Sequence, residues 1–532
     1  MAAGTASRFA PLSYEKPKGL LKVKGEILIE RQIRQLQEAG ISDIVIVVGY
    51  MAEMFMYLSD KFGVRIVINE DYNRYNNTSS IIRVIEELSD TYICSSDNYF
   101  PQNVFIGNPE NNSYYSALYS EEETGEYCLT TDNLDSIIDV KIGGCNSWYM
   151  VGHVFFNKEF SEKFREIMKK EYNRGETRLG YWEDVYARYI NELPPMKIHR
   201  YQPHDIEEFD SLEELRQFDE EYINNTGCKM FQNICSVLRC EEKDIDEIDV
   251  LKKGMTNCSF AFSCKKDGKK YVYRHPGAGT EELINRKNEL FSLKAAKDLG
   301  LDKTFVYMHP IEGWKISVFI EDVETLNFVT IQSYDNMNKI IDIYHKLHHS
   351  GIIFKSDFNI FREIEKYDNL IEKAGATMYE GWEDIRDQVM GLENKLNHLG
   401  VELHPCHNDA VAENFIKDTD GTINLIDWEY SGMNEPMADL AALFLENNFT
   451  QENQDYILSN YFNGVIPDSA IQKILCYQIL WDCLWAQWTI IKEANGDDFG
   501  SYGIDRFHRG LANLDKLNNY DYDRERMCKR SY

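Results

Sequence analysis

The chain has no apolar run of membrane-spanning length. Ile44 to Val48 is too short, and Ile479 to Ile491 is interrupted by Asp482 and Gln487, which excludes membrane insertion by a helix. No secretory signal is visible, and the 12 cysteines include no C-x-x-C pair, so dispersed, reduced thiols and a cytoplasmic location are expected. Positive charge is in deficit: 57 Lys and Arg stand against 88 Asp and Glu, a formal charge of −31. Such a surface repels a phosphate polymer or an anionic lipid layer, so nucleic acid is not an expected partner. Any nucleotide site must then be locally basic, which draws attention to Arg8, Lys18 and Arg274. Low-complexity tracts and internal repeats are also missing. What is present is a packed globular composition, 43% hydrophobic and 13% aromatic, with 33 Tyr and 27 Phe. At 532 residues the chain exceeds one core, and about two to four domains are expected.

The most informative stretch runs from His407 to Tyr430. It reads His407-Asn408-Asp409, four residues, Asn414, then a short apolar strand ending Ile426-Asp427-Trp428-Glu429-Tyr430. Two carboxylates and a carboxamide at these spacings suit phosphoryl transfer. One Asp orients a substrate hydroxyl, while an Asn and a second Asp hold Mg²⁺ against the nucleotide phosphates. Upstream, Lys253-Gly254-Met255-Thr256-Asn257 suits a phosphate-covering turn, with Gly254, Thr256 and Asn257 as nucleotide contacts. Phe260 to Cys264 and Tyr271 to Arg274 read as strands joined by a hairpin at Asp267-Gly268. Arg274 ends the second strand, where protein kinases place a phosphate-gripping Lys, and Glu289 on the next helix is its expected ion-pair partner. These motifs, with Tyr273-Arg274-His275-Pro276-Gly277, Gly279-Thr280-Glu281 and Asn285-Arg286, resemble the choline kinase family in its bacterial form.

The front of the chain carries a different motif. Met1-Ala2-Ala3-Gly4-Thr5-Ala6-Ser7-Arg8-Phe9 is followed by Lys16-Pro17-Lys18. Small side chains let backbone N–H groups approach phosphate oxygens, and an Arg and a Lys neutralise a pyrophosphate leaving group. Ile29, Ile33 and Leu36 share a helical face that Gly40 terminates. Ile44–Val48, Val64–Ile68 and Tyr92–Asp97 read as strands of an α/β sheet, and Asp97 at a strand's carboxyl end is a candidate Mg²⁺ ligand. The opening motif resembles nucleoside-triphosphate transferases. Asn76-Asn77-Thr78-Ser79-Ser80, Ser95-Ser96-Asp97-Asn98-Tyr99-Phe100 and Gly143-Gly144-Cys145-Asn146-Ser147-Trp148-Tyr149 narrow this resemblance to bacterial phosphocholine cytidylyltransferases. It implies nucleotide contacts at Ala3, Gly4, Thr5, Ala6 and Asn77, and a second metal-binding element at Glu208 and Asp210. The same acidic segment also suits helix N-capping by Asp210 and Ser211.

Two departures from that pattern matter. Ala6 stands where the family has a second Gly, tolerable unless positive φ is needed there. The family also has an apolar strand before this loop, whereas here Met1 already lies inside the motif. Adding six to ten apolar residues before Met1 is therefore expected to raise transferase activity and thermal stability.

The expected organisation is an α/β nucleotidyltransferase domain with a mostly parallel, Rossmann-like sheet over residues 1–226, then an α+β two-lobed kinase-like domain over 227–532. The small lobe is placed at about 227–321 and the large lobe at about 322–532, with the junction in Asp219-Glu220-Glu221-Tyr222 to Gly227. A quaternary ammonium offers no hydrogen-bond donor, so aromatic faces and a carboxylate must hold it. Glu429 with Trp481, Trp485, Trp488 and Tyr502 are the candidates in the kinase half, and Trp148 and Trp182 in the transferase half. The i, i+4, i+7 spacing of Trp481, Trp485 and Trp488 equally describes an ordinary buried helix face.

The resemblance implies consecutive chemistry. Choline would be phosphorylated by ATP through Asp409, Asn414 and Asp427. Phosphocholine would then join CTP through Asp97, Glu208, Asp210, Lys18 and Arg8, giving CDP-choline for decorating a surface glycan or lipid. Alternatives are ethanolamine or another amino alcohol as substrate, an aminoglycoside-type phosphotransferase, or a kinase beside an inactive transferase module. Oligomeric state is not legible.

Overall fold

The i, i+4, i+7 spacing of Ile29, Ile33 and Leu36 folds as expected, into the helix Leu28–Glu38 that buries all three; Gly40, at φ 83°, lets the chain turn away. The computed structural model describes residues 1–105, 112–251, 257–276, 284–321, 323–494 and 497–530, leaving aside the side chains of 257, 258 and 520–530. The chain forms two compact units. The first comprises Met1–Lys253 with Phe262–Gly268, and the second Gly254–Ala261 with Lys269–Tyr532.

In the first unit, Val45–Val48 pairs in parallel with Arg65–Ile68. A six-stranded sheet is built around Ser147–Phe156, which is antiparallel to Ser113–Ser120, Thr124–Thr131 and Thr91–Cys94. Met196–Arg200 adds in parallel to Ser113–Ser120. The α/β class therefore holds. Among the described residues of this unit, parallel pairing is confined to the first pair of strands, to Met196–Arg200 and to the bridge between Ala2 and Val48, while the larger sheet is mostly antiparallel.

That bridge marks a gap. Ala2 N–H donates to the Val47 carbonyl (2.8 Å), Ser96 N–H donates to the Met1 carbonyl (3.1 Å), and the Met1 ammonium donates to the Cys94 carbonyl. Met1 and Ala2 thus sit between Val45–Val48 and Thr91–Cys94 at their carboxyl ends only. Behind them lies a cavity of about 530 Å³ lined by Ile44–Val47, Thr91–Cys94, Ile29, Ile33 and Ile81. Burial depresses the Met1 ammonium below its ordinary pKa, against the opposing pull of Cys94 and Asp97. Each unpaired buried backbone group costs about 1–3 kcal/mol. An apolar extension joined to Met1 is therefore expected to fill the cavity, pair both edges and raise the melting temperature of this unit. A gain of about 1 kcal/mol corresponds to about 2–4 °C at this size. Scanning calorimetry of the extended protein checks it, and an unchanged transition would show that the loop is held without that strand.

Asn257–Cys264 turns through Asp267-Gly268 into Lys269–Pro276, as expected of an Asp-Gly hairpin. Lys269–Pro276 pairs antiparallel with Lys315–Val318, which pairs with Phe305–Met308, and the helix Arg286–Asp298 follows the hairpin. The remainder is largely helical. Asp468–Ala494 runs through its core and is apolar on nearly every side, the signature of a fully enclosed helix. No helix among the described residues is long and apolar enough to cross a membrane.

Candidate active sites

The first site is assembled at the loop after the strand His404–Cys406. Asn408 (φ 65°) and Asp427 (φ 66°) both adopt left-handed backbone, a strained state for the Asp that the surrounding structure must enforce. Asp409 Oδ2 accepts from Asn414 Nδ2 at 2.9 Å, so the loop brings two of the three expected residues together. Behind the loop, Asp439 accepts the backbone N–H of His407 (2.9 Å) and of Asn408 (2.6 Å). Burial, then the charges of Asp427, Glu429 and Glu446, push Asp409 well above the usual carboxylate range. Asp427 goes the other way. Burial opposes its charge, but Arg274 (2.7 Å) and Lys315 (3.2 Å) outweigh that and hold it well below the usual range. One Asp is thus ready to share a proton and its neighbour is a fixed anion.

The expected Arg274–Glu289 pair is corrected. Arg274 bonds Asp427 and Glu429 (3.2 Å), while Glu289 is bonded by Lys315 (3.3 Å) and Arg286 (3.0 Å). Lys315 was not singled out in the sequence because it lies one strand farther along. Only the ladder, in which Arg274 faces Lys315, sets the two cations side by side. Oxygens of Glu289, Asp427 and Glu429 lie within 4.8 Å of one another, an all-oxygen donor set of the kind hard cations take. Glu429 is pushed up to about 7 by burial and by Asp427, so an arriving cation would favour its ionised form.

Glu429 also lines a cavity of about 890 Å³ with Tyr430, Trp485, Tyr367 and Phe358. Tyr430 and Trp485 meet edge to face at 5.6 Å. The tryptophan stripe divides. Trp481 is fully buried and donates to the Ala438 carbonyl, so it is core, a correction to its expected ligand role. Trp488 is half-buried, with Lys492 over its ring and Phe499 beside it. Tyr502 lies under the Arg506 guanidinium (4.8 Å), which is bonded to Glu446 and Asp482. Glu446 is a residue the sequence reading missed. It raises Asp409, and its Oε1 has no partner among the described residues. Its signal was an acid closing the apolar helix after Asp439. Gly254 and Thr256 lie outside the described residues, as does the side chain of Asn257.

The second site belongs to the first unit. Lys18 Nζ is 2.8 Å from Asp97, and Arg8 is 3.4 Å from Asp210. Glu208 is brought beside Asp97 by a short ladder in which it faces Asn98. Burial and the Asp97 charge push Glu208 up to about 8, against the pull of Lys18. The helix cap is Ser211, whose hydroxyl accepts from Glu214 N–H, while the Asp210 N–H donates to Glu214; the Asp210 carboxylate is not the cap. Ala6 does require positive φ (47°), contrary to the expected tolerance, a strain of about 1 kcal/mol for an L-residue. Ala3, Gly4 and Thr5 precede it in the loop, with the Ala3 carbonyl accepting from Tyr50 N–H.

Asn77 uses its amide to donate to Glu183 (3.1 Å) and to accept from Trp182 N–H (2.8 Å). Trp182 is buried and stacked on Tyr115, so its expected ligand role is corrected to core packing. Trp148 is half-buried with Arg200 over its ring. The missed residue here is Glu183. It is pushed up to about 7 by burial, against hydrogen bonds from Asn77 and Tyr115, and Tyr115 feels both Glu183 and Glu208. Tyr127 donates to the adjacent Asp184 (2.7 Å). Two acids directly after Tyr181-Trp182 were the available signal.

The description "MobA-like NTP transferase domain" matches residues 1–102, and "Choline/ethanolamine kinase" matches residues 248–463. A choline-phosphate cytidylyltransferase of Streptococcus pneumoniae is 34% identical over 220 residues, 41% of this chain and 95% of the relative. A 2-aminoethylphosphonate cytidylyltransferase of Lancefieldella rimae is 33% identical over 227 residues, 42% of this chain and 92% of the relative. Protein LicA of Haemophilus influenzae is 29% identical over 272 residues, 50% of this chain and 79% of the relative.

Proposed function

With its front half in the choline-phosphate cytidylyltransferase family and its rear half in the choline/ethanolamine kinase family, the chain is, we propose, a bifunctional transferase that makes CDP-choline from choline, ATP and CTP. The observation that carries this is one chain holding two separately built phosphoryl sites, at Asp409–Asn414–Asp427 and at Lys18–Asp97–Glu208.

In the kinase step, Asp409 accepts a hydrogen bond from the choline hydroxyl and orients it towards the ATP γ-phosphorus. Its raised proton affinity suits it to receive that proton as the bond forms. Asn414 and Asp427, with Glu429 close by, are the residues that would hold Mg²⁺, which supplies charge neutralisation on the phosphates. Arg274 and Lys315 stand beside them to meet phosphate oxygens. In the second step, Asp97, Glu208 and Asp210 would hold Mg²⁺, and Lys18 and Arg8 face the triphosphate. Glu183, with Tyr115 and Tyr127, places a negative charge where the phosphocholine cation would lie.

The trimethylammonium of choline is read as resting between Trp485, Tyr430 and Glu429, each aromatic face contributing about 0.5–2 kcal/mol. Trp485→Ala is therefore expected to raise the choline KM about 2- to 30-fold and leave the ATP KM unchanged. Steady-state kinetics in both substrates check this; equal rises would make the tryptophan a packing residue. A second reading takes a primary amine instead, near Glu363 and Asp357 in the same cavity, carboxylates already paired with Lys366 and Arg362. Phosphorus NMR of the protein with ATP, CTP, Mg²⁺ and either choline or ethanolamine decides between them. Phosphocholine that never becomes CDP-choline would indicate an inactive front half.

A further inference from the structure

We propose that Glu15 and Asp219 are positioning residues for Lys18, holding the turn that carries it from both sides. Glu15 closes the short helix Leu12–Glu15, just ahead of Lys18. Its carboxylate caps a helix from far along the chain. The Lys229 and Met230 N–H groups both donate to it at 2.9 Å, and Cys228 Sγ lies 3.3 Å away. These residues open the helix Lys229–Leu238. On the other side of Lys18, the Lys24 N–H donates to Asp219 Oδ2 at 2.6 Å. Between the two anchors Tyr222 is buried, and its hydroxyl meets the Lys22 backbone N–H. All of these residues belong to the first unit.

The anchored stretch leads directly to the reacting groups. Leu20 N–H donates to the Pro17 carbonyl (2.9 Å) and Leu21 N–H to the Lys18 carbonyl (3.0 Å), so Lys18 stands on a tight turn. Gly19 lies against the strand end that bears Asp97, where a Cβ would come to 2.8 Å from Ser96 Oγ. Lys18 Nζ then reaches Asp97 at 2.8 Å, over the Phe9 ring. The clasping segment is itself braced. Glu242 accepts from the Thr226 N–H (2.7 Å) and hydroxyl (2.8 Å), and Arg216 donates to the Glu242 (3.2 Å) and Ile245 (2.8 Å) carbonyls. A helix N-terminus can also receive a substrate phosphate. Here the Glu15 carboxylate already occupies that place, so the helix Lys229–Leu238 holds the turn and an arriving anion would meet a like charge.

The role rests on the transferase reading of the first unit, so one readout must not depend on activity. Glu15→Ala removes the acceptor, and Glu15→Gln keeps an oxygen for the two amides. Ala is expected to lower kcat for CDP-choline formation from supplied phosphocholine and CTP about ten- to a hundredfold, with both KM values within about twofold, because a lysine displaced by a fraction of an ångström still lets substrate bind but meets the transition state poorly. Gln is expected to recover most of that loss. Asp219→Ala cuts the second anchor and is expected to lower the same kcat, again with little change in either KM. ATP-dependent choline phosphorylation, measured on the same samples, is expected to stay unchanged. Independently of turnover, the amides of Leu20 and Leu21 are expected to exchange with solvent faster in both Ala variants, while those of the helix Lys158–Glu171 keep their protection. The proposal is overturned by a Glu15→Ala variant with wild-type kcat, or with unchanged exchange at Leu20 and Leu21. It is equally overturned by a Gln variant that recovers nothing, or by protection lost uniformly across the unit, which would mark a fold-stabilising residue only. Wild-type protein that does not consume CTP removes the transferase reading, and exchange at Leu20 and Leu21 then still decides whether Glu15 and Asp219 hold the turn.

Discussion

Asp409→Asn is expected to abolish phosphocholine formation from ATP while CDP-choline formation from supplied phosphocholine continues at the wild-type rate. The substitution keeps size and keeps one oxygen for Asn414, which now lies 2.9 Å away, so the loop should hold its shape. What disappears is the group that takes the substrate proton. Burial and the nearby charges of Asp427, Glu429 and Glu446 raise the proton affinity of Asp409 well above that of an ordinary carboxylate, and an amide has none to offer. Loss of a general base of this kind costs about 10²–10⁴-fold. The measurement is phosphocholine production at saturating ATP and choline, with the CTP reaction run on the same preparation. Retention of more than about a tenth of the kinase rate would remove Asp409 from the role of base.

Asp97→Asn is expected to do the converse: phosphocholine accumulates and CTP is not consumed. Two effects add here. A candidate metal ligand is weakened, and Lys18, now 2.8 Å from the carboxylate, loses its anionic partner. Glu208 also responds. Part of its rise to about 8 comes from the Asp97 charge, so its proton should bind less tightly in the variant. Removing one preorganised electrostatic contact at a phosphoryl centre costs about 10²–10³-fold. The two mutations lie in different units with no shared partner, so the double variant should lose both activities independently. A single substitution that removed both, with circular dichroism unchanged, would argue for one coupled site instead of two.

The closeness of Asp409 and Asn414 was legible because both stand on one short loop, and the structure brings their side chains to 2.9 Å. Local spacing therefore carried that part of the geometry. The Asp-Gly hairpin, the helix ending at Gly40, and the α/β class of the front half and α+β class of the rear half were legible for the same reason, since turn chemistry and hydrophobic period act over a few residues. The strained place of Ala6 was flagged by its residue type, and only the backbone angle decided it.

Contacts that join distant strands and helices were not legible. Lys315, not Arg274, bonds Glu289, because a cross-strand register places the lysine there and no sequence spacing records a register. Trp481 and Trp485 share one helical stripe, yet one is core and the other faces a cavity, since the helix is enclosed at one turn and opened at the next. Glu183 and Glu446 carried only weak signals, as an acid matters through what packs around it. The sequence by itself determined the two folds and their order, both consequences of local patterning. Tertiary structure alone decided which cation meets which carboxylate, which aromatics remain open to a cavity, and that Asp439 bonds the backbone before Asp409, because each depends on burial and on neighbours far apart in the chain.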